Sequence, residues 1–210
     1  MTSLIALTFV SPPAAPLAPY AYKFTAGDKL AYSVRFGGRM GSQAAQVAET
    51  LTVEVLSVDP DGSAQLKFTS SEVKRSGLAK DQSVGEMDVT ARADPYGNLS
   101  GFSSEDPLTA TLSFMFSLPN TELAERKWTE YPDPMSVVAN GASTEGTIRS
   151  RRGTQLLFTV RTKSTEGPNG TRETTFDTAA GRLVSSKFRG GDGRTVPRVE
   201  VDVVQKAVRR

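Results

Sequence analysis

The sequence contains no cysteine and no histidine. Without cysteine there is no disulfide, no thiolate metal site and no cysteine nucleophile. Without histidine the chain lacks the usual general base at neutral pH and the commonest zinc ligand. Ser-His-Asp catalysis, Cys-His catalysis and zinc hydrolysis are therefore excluded by the residue inventory. No cofactor or metal is expected, since no calcium-loop or phosphate-loop spacing is present either.

A strong charge bias and long apolar runs are missing as well. The 25 basic and 23 acidic residues leave a net charge of +2, which gives no reason to expect a nucleic-acid partner. No apolar run approaches the roughly 20 residues that a membrane helix needs, so no transmembrane segment is expected. Hydrophobic residues make up 38% of the chain, a fraction that is ordinary for a protein with a true core.

Residues 1–19 resemble part of an export signal. An apolar run over residues 4–10 precedes a proline- and alanine-rich tract, as at the end of a signal peptide. No basic residue precedes the run, and proline follows the small residues Ala15 and Ala18. The pattern predicts an extracytoplasmic protein, periplasmic or secreted. The alternative is a cytoplasmic protein whose first residues form a tail or an edge strand. The single domain is expected over residues 20–210.

One short helix is expected in mid-chain, over residues 107–118. Pro107 suits the first helical position, and Pro119 cannot continue the hydrogen-bond ladder. Apolar residues recur on one helical face: Leu108, Leu112, Met115 and Phe116. The helix has two interpretations, a core helix that plugs a curved sheet, or a lid over a cavity lined by phenylalanine and methionine.

Alternating apolar residues and glycine-rich turns on both sides of this helix predict β-strands. In residues 49–59 the alternation changes phase after Val55, which indicates a β-bulge. The prediction is an all-β, mainly antiparallel fold: a strongly curved sheet or half-barrel of roughly ten strands around the helix. Residues 20–102 and 123–206 form two β-rich halves.

Two segments of these halves resemble each other. Residues 93–100 read Ala-Asp-Pro-Tyr-Gly-Asn-Leu-Ser, and residues 176–185 read Phe-Asp-Thr-Ala-Ala-Gly-Arg-Leu-Val-Ser. Each has an aspartate, a glycine three or four residues later, and a leucine two residues after the glycine. The two halves are then either products of an old duplication, or only share the turn chemistry that hairpins demand.

The layout of long strands, one inserted apolar helix and the late hairpin Phe176-Asp177…Gly181-Arg-Leu183 looks like that of uncharacterised bacterial exported β-rich proteins. In architecture, residues 20–204 are similar to the lipoprotein-carrier half-barrels, in which a curved sheet wraps a helix beside an apolar cavity. The resemblance implies apolar-ligand binding or a role in the bacterial envelope.

The leading hypothesis is a non-enzymatic exported binding protein that holds a lipid or other apolar small molecule between sheet and helix. The candidate cavity residues are Tyr32, Val34, Phe36, Leu66, Phe68, Leu112, Met115, Phe116, Leu156 and Phe158. A structural or interaction module with an envelope protein partner and a close-packed interior is one alternative. A carboxylate-dependent hydrolase, with two acids facing one cleft, is the other.

Overall fold

The computed structural model describes residues 20–80, 86–101, 107–119, 127–130, 143–163, 169–195 and 197–206. These residues form eleven strands and one helix. In chain order they are β1 (Lys29–Met40), β2 (Gln43–Val58), β3 (Ala64–Gly77), β4 (Asp88–Ala93), β5 (Leu99–Ser100), α1 (Pro107–Phe116), β6 (Lys127–Glu130), β7 (Ser143–Arg152), β8 (Gln155–Lys163), β9 (Gly170–Asp177), β10 (Arg182–Gly190) and β11 (Arg198–Gln205).

All eleven strands belong to one antiparallel sheet, in the order β5-β4-β3-β2-β1-β11-β10-β9-β8-β7-β6. Strands β1 to β5 run from the centre of the sheet to one edge. Strands β6 to β11 run from the other edge back to the centre. The two runs meet where β1 pairs with β11, from Tyr32 opposite Gln205 to Arg39 opposite Arg198. The predicted all-β, antiparallel class is confirmed, and the sheet is open, with β5 and β6 at its edges.

The sheet curves around α1, as the sequence predicts. The ring of Phe116 lies 5.2 Å from that of Tyr32 and 6.1 Å from that of Phe68, on β1 and β3. The ring of Phe114 lies 5.6 Å from that of Phe188 on β10. One short helix thus touches strands on both sides of the sheet's centre.

The helix begins at Pro107 as predicted but ends at Phe116, two residues earlier than predicted. The carbonyl oxygen of Phe116 accepts a 2.8 Å hydrogen bond from the Tyr22 hydroxyl. The Leu118 amide donates to the Tyr96 carbonyl at 2.7 Å. Leu118 also precedes a proline, a position that disfavours helical backbone. The helix therefore ends because of these tertiary hydrogen bonds and the proline at position 119.

The bulge predicted after Val55 is present, because the pairing of β2 with β3 shifts register between Val55 and Ser57. Leu56 and Val58, which lie at and beyond the shift, are 46% and 37% exposed and do not join the core. Strand β3 is long, because it continues to Gly77 through a polar stretch. Pairing with β2 holds this stretch in the sheet although it buries little apolar surface.

The core lies on the concave face, where alternate residues of each long strand point toward α1. Val34, Leu51 and Val203 show the pattern, at 1%, 0% and 0% exposed. The face also carries polar groups that are bonded to each other. The hydroxyl oxygens of Thr174 and Ser186 lie 3.0 Å apart. Among the described residues, no helix is long and apolar enough to cross a membrane.

Candidate functional site

A segment without regular structure crosses one end of the curved sheet. We call residues 20–28 the strap. The Tyr22 amide donates to the Pro95 carbonyl at 2.7 Å, and the Lys23 amide donates to the Gly181 carbonyl at 2.9 Å. Pro95 lies in the turn between β4 and β5, and Gly181 in the turn between β9 and β10. The strap therefore joins turns from the two opposite halves of the sheet and covers the space between them.

These two turns are the two similar segments of the sequence. In the first, Asp94 Oδ1 accepts from two amides of its own turn at 2.8 and 2.9 Å. In the second, Asp177 Oδ1 accepts from two amides at 2.9 and 3.1 Å. Hydrogen bonds from these amides, that of Ala180 above all, hold the pKa of Asp177 below its ordinary value. Each aspartate is thus committed to shaping its turn.

The glycine of each turn is required where the strap packs. Gly97 has φ +78° and Gly181 has φ +59°, a region that side chains with a Cβ disfavour. A Cβ on Gly97 would lie 2.6 Å from Cε2 of Tyr22, and one on Gly181 would lie 2.5 Å from Cβ of Lys23. Turn geometry and strap packing together account for the resemblance between the two segments. A duplication stays a prediction.

Aromatic side chains fix the strap from inside. The Tyr20 ring packs edge-on against Phe158 at 5.4 Å, and Tyr20 is fully buried. The Tyr22 ring stacks on Phe24 at 5.3 Å and meets Phe176 edge-on at 5.1 Å. Ring pairs in these arrangements are favourable beyond the area they bury. The alternation of Tyr20, Tyr22 and Phe24 thus gives the strap an inward face.

A cavity of about 70 Å³ lies beneath the strap, against β1 to β5 and the end of α1. We call it the strap cavity. Aliphatic and aromatic side chains form most of its wall, and charged residues of the strap and of β10 lie at its mouth. Its lining residues are Tyr22, Lys23, Phe24, Asp28, Leu30, Tyr32, Val53, Val55, Leu66, Phe68, Ala93, Gly97, Leu99, Phe116, Ala180, Gly181 and Arg182.

Four of the ten candidate residues line the strap cavity: Tyr32, Leu66, Phe68 and Phe116. Four others are buried and lie outside its lining: Val34, Leu112, Met115 and Phe158. Phe36 and Leu156 are partly buried against the core. The helix therefore plugs the middle of the half-barrel, and the empty space lies at the end that the strap covers.

The sequence reasoning missed the strap side of the wall, including Tyr22 and Phe24. The alternation of aromatic residues from Tyr20 to Phe24 was a usable signal for an inward face. It did not indicate which end of the sheet the segment crosses. The sequence does predict strands with alternating apolar residues at Leu30, Val53 and Val55. It does not indicate that a cavity lies beside this end of the sheet.

Two tyrosine hydroxyls lie in this wall. Burial raises the pKa of Tyr22 and that of Tyr32 well above the ordinary value. The Tyr22 hydroxyl donates to the end of α1 at 2.8 Å. The Tyr32 hydroxyl donates to the Leu183 carbonyl at the long distance of 3.5 Å. Both groups are neutral donors at physiological pH, so they add no charge to the cavity.

The buried charged side chains among the described residues, Arg172 and Glu49, do not line the cavity. Arg172 is buried, donates to the Ser117 hydroxyl at 2.9 Å and lies 4.4 Å from the centre of the Phe114 ring. Glu49 is the one buried carboxylate among the described residues. No group of three or more acidic residues there is arranged to hold a metal ion.

No family model matches the chain, and a search of curated proteins finds no match either.

Proposed function

We propose that this protein is a non-enzymatic binding protein that holds an apolar chain in the strap cavity. The observation that carries the proposal is an open space inside the half-barrel, walled by Leu66, Phe68, Val53 and Phe116. Each methylene group that leaves water for such a wall contributes about 0.8 kcal/mol. Three methylene groups in the cavity would therefore contribute roughly 2.4 kcal/mol of binding free energy.

The size of the cavity favours a slender ligand. Its volume of about 70 Å³ is about half that of the roughly 150 Å³ apolar cavity known to hold benzene. A rigid ring system does not fit without displacing the wall. One end of an alkyl chain does fit, with the rest of the molecule in the mouth. A single acyl or alkyl chain is therefore the ligand class that this geometry favours.

We extend the proposal to an extracytoplasmic protein of the bacterial envelope. This part rests on the apolar run of residues 4–10 and the proline- and alanine-rich tract that follows it. Residues 1–19 lie outside the described part of the chain. Fractionation of cells that express the full chain tests it, since recovery in the cytoplasmic fraction alone would contradict export.

The interaction-module alternative has less support in the described residues. Its binding edges would be β5 and β6, which are two and four residues long and offer few free backbone groups for an added strand. The large exposed apolar side chains lie on several segments: Met40, Leu56, Val58, Leu78 and Val204. The strap cavity is the more specific feature, because its groups converge on one space.

Calorimetric titration of the full chain with decanol tests the proposed function. We expect saturable binding that Leu66→Trp weakens at least tenfold, because an indole would occupy the space beside Leu66. Ala93→Val is a milder blocking variant, since Ala93 is fully buried in the same wall. Val204→Trp is the matched control, because Val204 is 40% exposed and lies outside the lining.

Circular dichroism first establishes that each variant is folded. Equal affinity of the wild type and both folded blocking variants would place the ligand elsewhere and contradict the proposal. Absence of any decanol binding to the wild type would contradict it as well.

A further inference from the structure

The mouth of the strap cavity carries two cationic side chains at the same turn. Lys23 and Arg182 are both exposed and both line the cavity. The Lys23 ammonium group donates to the Ala179 carbonyl at 3.2 Å, which holds it against the turn between β9 and β10. Arg182 is the first residue after that turn. The two cations therefore border one side of the mouth.

Neither cation makes a salt bridge within the described part of the chain. By contrast, nearby Lys29 is paired with Glu54 at 3.1 Å. Asp177 lies opposite Arg182 in the β9–β10 pairing and attracts it. However, Asp177 Oδ1 already accepts two turn amides. Asp177 acts on Arg182 only through its charge and not through a hydrogen bond, so the guanidinium N–H groups of Arg182 can still donate to a ligand at the mouth.

The one acidic residue of the lining, Asp28, belongs to a different side of the mouth. Its carbonyl accepts from the Val55 amide at 2.9 Å, so its backbone lies beside the end of β2. The Lys23 backbone is bonded instead to Gly181, in the turn between β9 and β10. The charged lining thus has two cations at one turn and one anion beside another strand, and a net charge of +1.

We propose that the ligand is a single-chain amphiphile with an anionic head group, a carboxylate or a phosphate, bound at Lys23 and Arg182 with its chain in the strap cavity. This inference rests on the proposed function, because the cavity supplies the chain site. An arginine fork and a lysine ammonium are the groups that proteins use for carboxylate and phosphate oxygens. With the head group at the mouth, its charge stays in water while the alkyl chain is buried in the cavity.

Five probes of equal chain length test the head group: decanoate, decyl phosphate, decanol, decylammonium and decylphosphocholine. Each is titrated into the full chain below its micelle concentration. We expect decanoate or decyl phosphate to bind roughly two- to thirtyfold more tightly than decanol, the range for two exposed ion pairs. Decylammonium should bind more weakly than decanol. The tighter of the two anions identifies the head group as a carboxylate or a phosphate.

The double variant Lys23→Gln/Arg182→Gln should abolish the preference for the anion over decanol. Glutamine keeps the Cβ and Cγ atoms that pack on Gly181, so the strap should stay in place. Lys187→Gln/Arg189→Gln is the matched control. It removes the same charge from exposed positions of β10 that are not part of the lining. The preference should also shrink as salt is raised, since exposed charges are screened.

Three results would overturn the inference while leaving the proposed function standing. They are binding of decanol at least as tight as that of both anions, tighter binding of decylammonium than of decanol, and an anion preference that survives the double variant. Tighter binding of decylphosphocholine than of either anion would instead assign a zwitterionic head group, with Asp28 as its cation site, and would also overturn it. Failure of all probes to bind would contradict the proposed function itself.

Discussion

Single residues at the strap-covered end of the sheet have requirements that neighbouring positions do not share. Gly27 and Gly97 both have positive φ, at +87° and +78°. A Cβ on Gly27 would meet nothing within 4 Å, whereas one on Gly97 would lie 2.5 Å from the Phe116 carbonyl oxygen. Substitutions at these two glycines therefore separate the free-energy cost of a positive φ from the cost of steric overlap.

Gly27→Ala should lower the free energy of unfolding by about 1–2 kcal/mol, the cost of left-handed backbone for alanine. Gly97→Ala should lower it by about 1–3 kcal/mol more, because the added methyl group overpacks against the end of α1 and the Tyr22 ring. Urea denaturation measures both values. Equal destabilisation by the two substitutions would show that the strap and helix do not press on Gly97.

The buried tyrosines predict how stability depends on pH at the alkaline end. An unfolded chain ionises its tyrosines near pH 10, whereas burial raises the pKa of Tyr22 and Tyr32 in the folded protein. The unfolded state therefore binds fewer protons above that pH. The contribution is fully present below pH 10 and is lost as pH rises toward the folded pKa, by up to about 1.4 kcal/mol per pH unit for each tyrosine.

Urea denaturation at several pH values from 8 to 11 measures this slope. Tyr22→Phe should flatten it, and Tyr22→Phe/Tyr32→Phe should flatten it further. Lysines titrate in the same range and are common to all three proteins, so the difference between slopes isolates the tyrosines. At neutral pH, Tyr22→Phe should cost about 1 kcal/mol through the lost bond to the Phe116 carbonyl. Parallel slopes for the three proteins would contradict the burial of these hydroxyls.

Among the elements, α1 is the one whose place could be read from the sequence. Pro107 and the period of the apolar residues indicated its start and inward face, and the bulge after Val55 was visible as a change of phase. The end of α1 could not be predicted, because the Tyr22 hydroxyl that donates to the Phe116 carbonyl comes from a segment 94 residues away in the chain. Local patterns carry no information about such partners.

The strap escaped sequence reasoning for a related reason. It has neither strand pairing nor helical hydrogen bonds, so it lacks the long periodicity that makes elements recognisable. Its position depends on Pro95 and Gly181, whose turns come from the two halves of the chain. The strap-side wall of the cavity and its two cations were therefore missed, whereas Tyr32, Leu66, Phe68 and Phe116 were found by strand and helix periodicity.

The helix should be essential to the stability of the sheet that wraps it. Leu112 is 1% exposed on α1, and Leu78, just after β3, is 56% exposed. Leu112→Ala should lower the free energy of unfolding by about 2–5 kcal/mol through lost burial and the void left behind. Leu78→Ala should change it by less than about 0.5 kcal/mol. Similar effects of the two substitutions would contradict the packing of α1 as a core element.

On the scale of the whole molecule, the sheet is centred on the pairing of its first and last strands. Strand β11 joins β1 to β10 and so unites the two sequential runs of strands. The sequence indicated the two runs and the antiparallel class, because turns and alternation are local. The pairing of β1 with β11 joins residues more than 150 positions apart, so local patterns could not predict it. This pairing decides which turns lie at the same end of the sheet.

That arrangement is also what creates the proposed site. The turn between β4 and β5 and the turn between β9 and β10 lie at the same end because the two runs meet at the centre. The strap spans them, and the space beneath it is the strap cavity. The proposed site is therefore a property of the assembled sheet, because its lining comes from both runs of strands.

The most direct test of this account is a nuclear magnetic resonance titration of the full chain with decanol, followed through methyl and amide shifts. The account predicts saturation at one ligand per chain, with the largest shifts at Leu66, Ala93, Leu30 and the strap. Shifts centred on the exposed Leu78 or Val204 would place the ligand on the outer surface and contradict it. The absence of any saturable shift would contradict it equally.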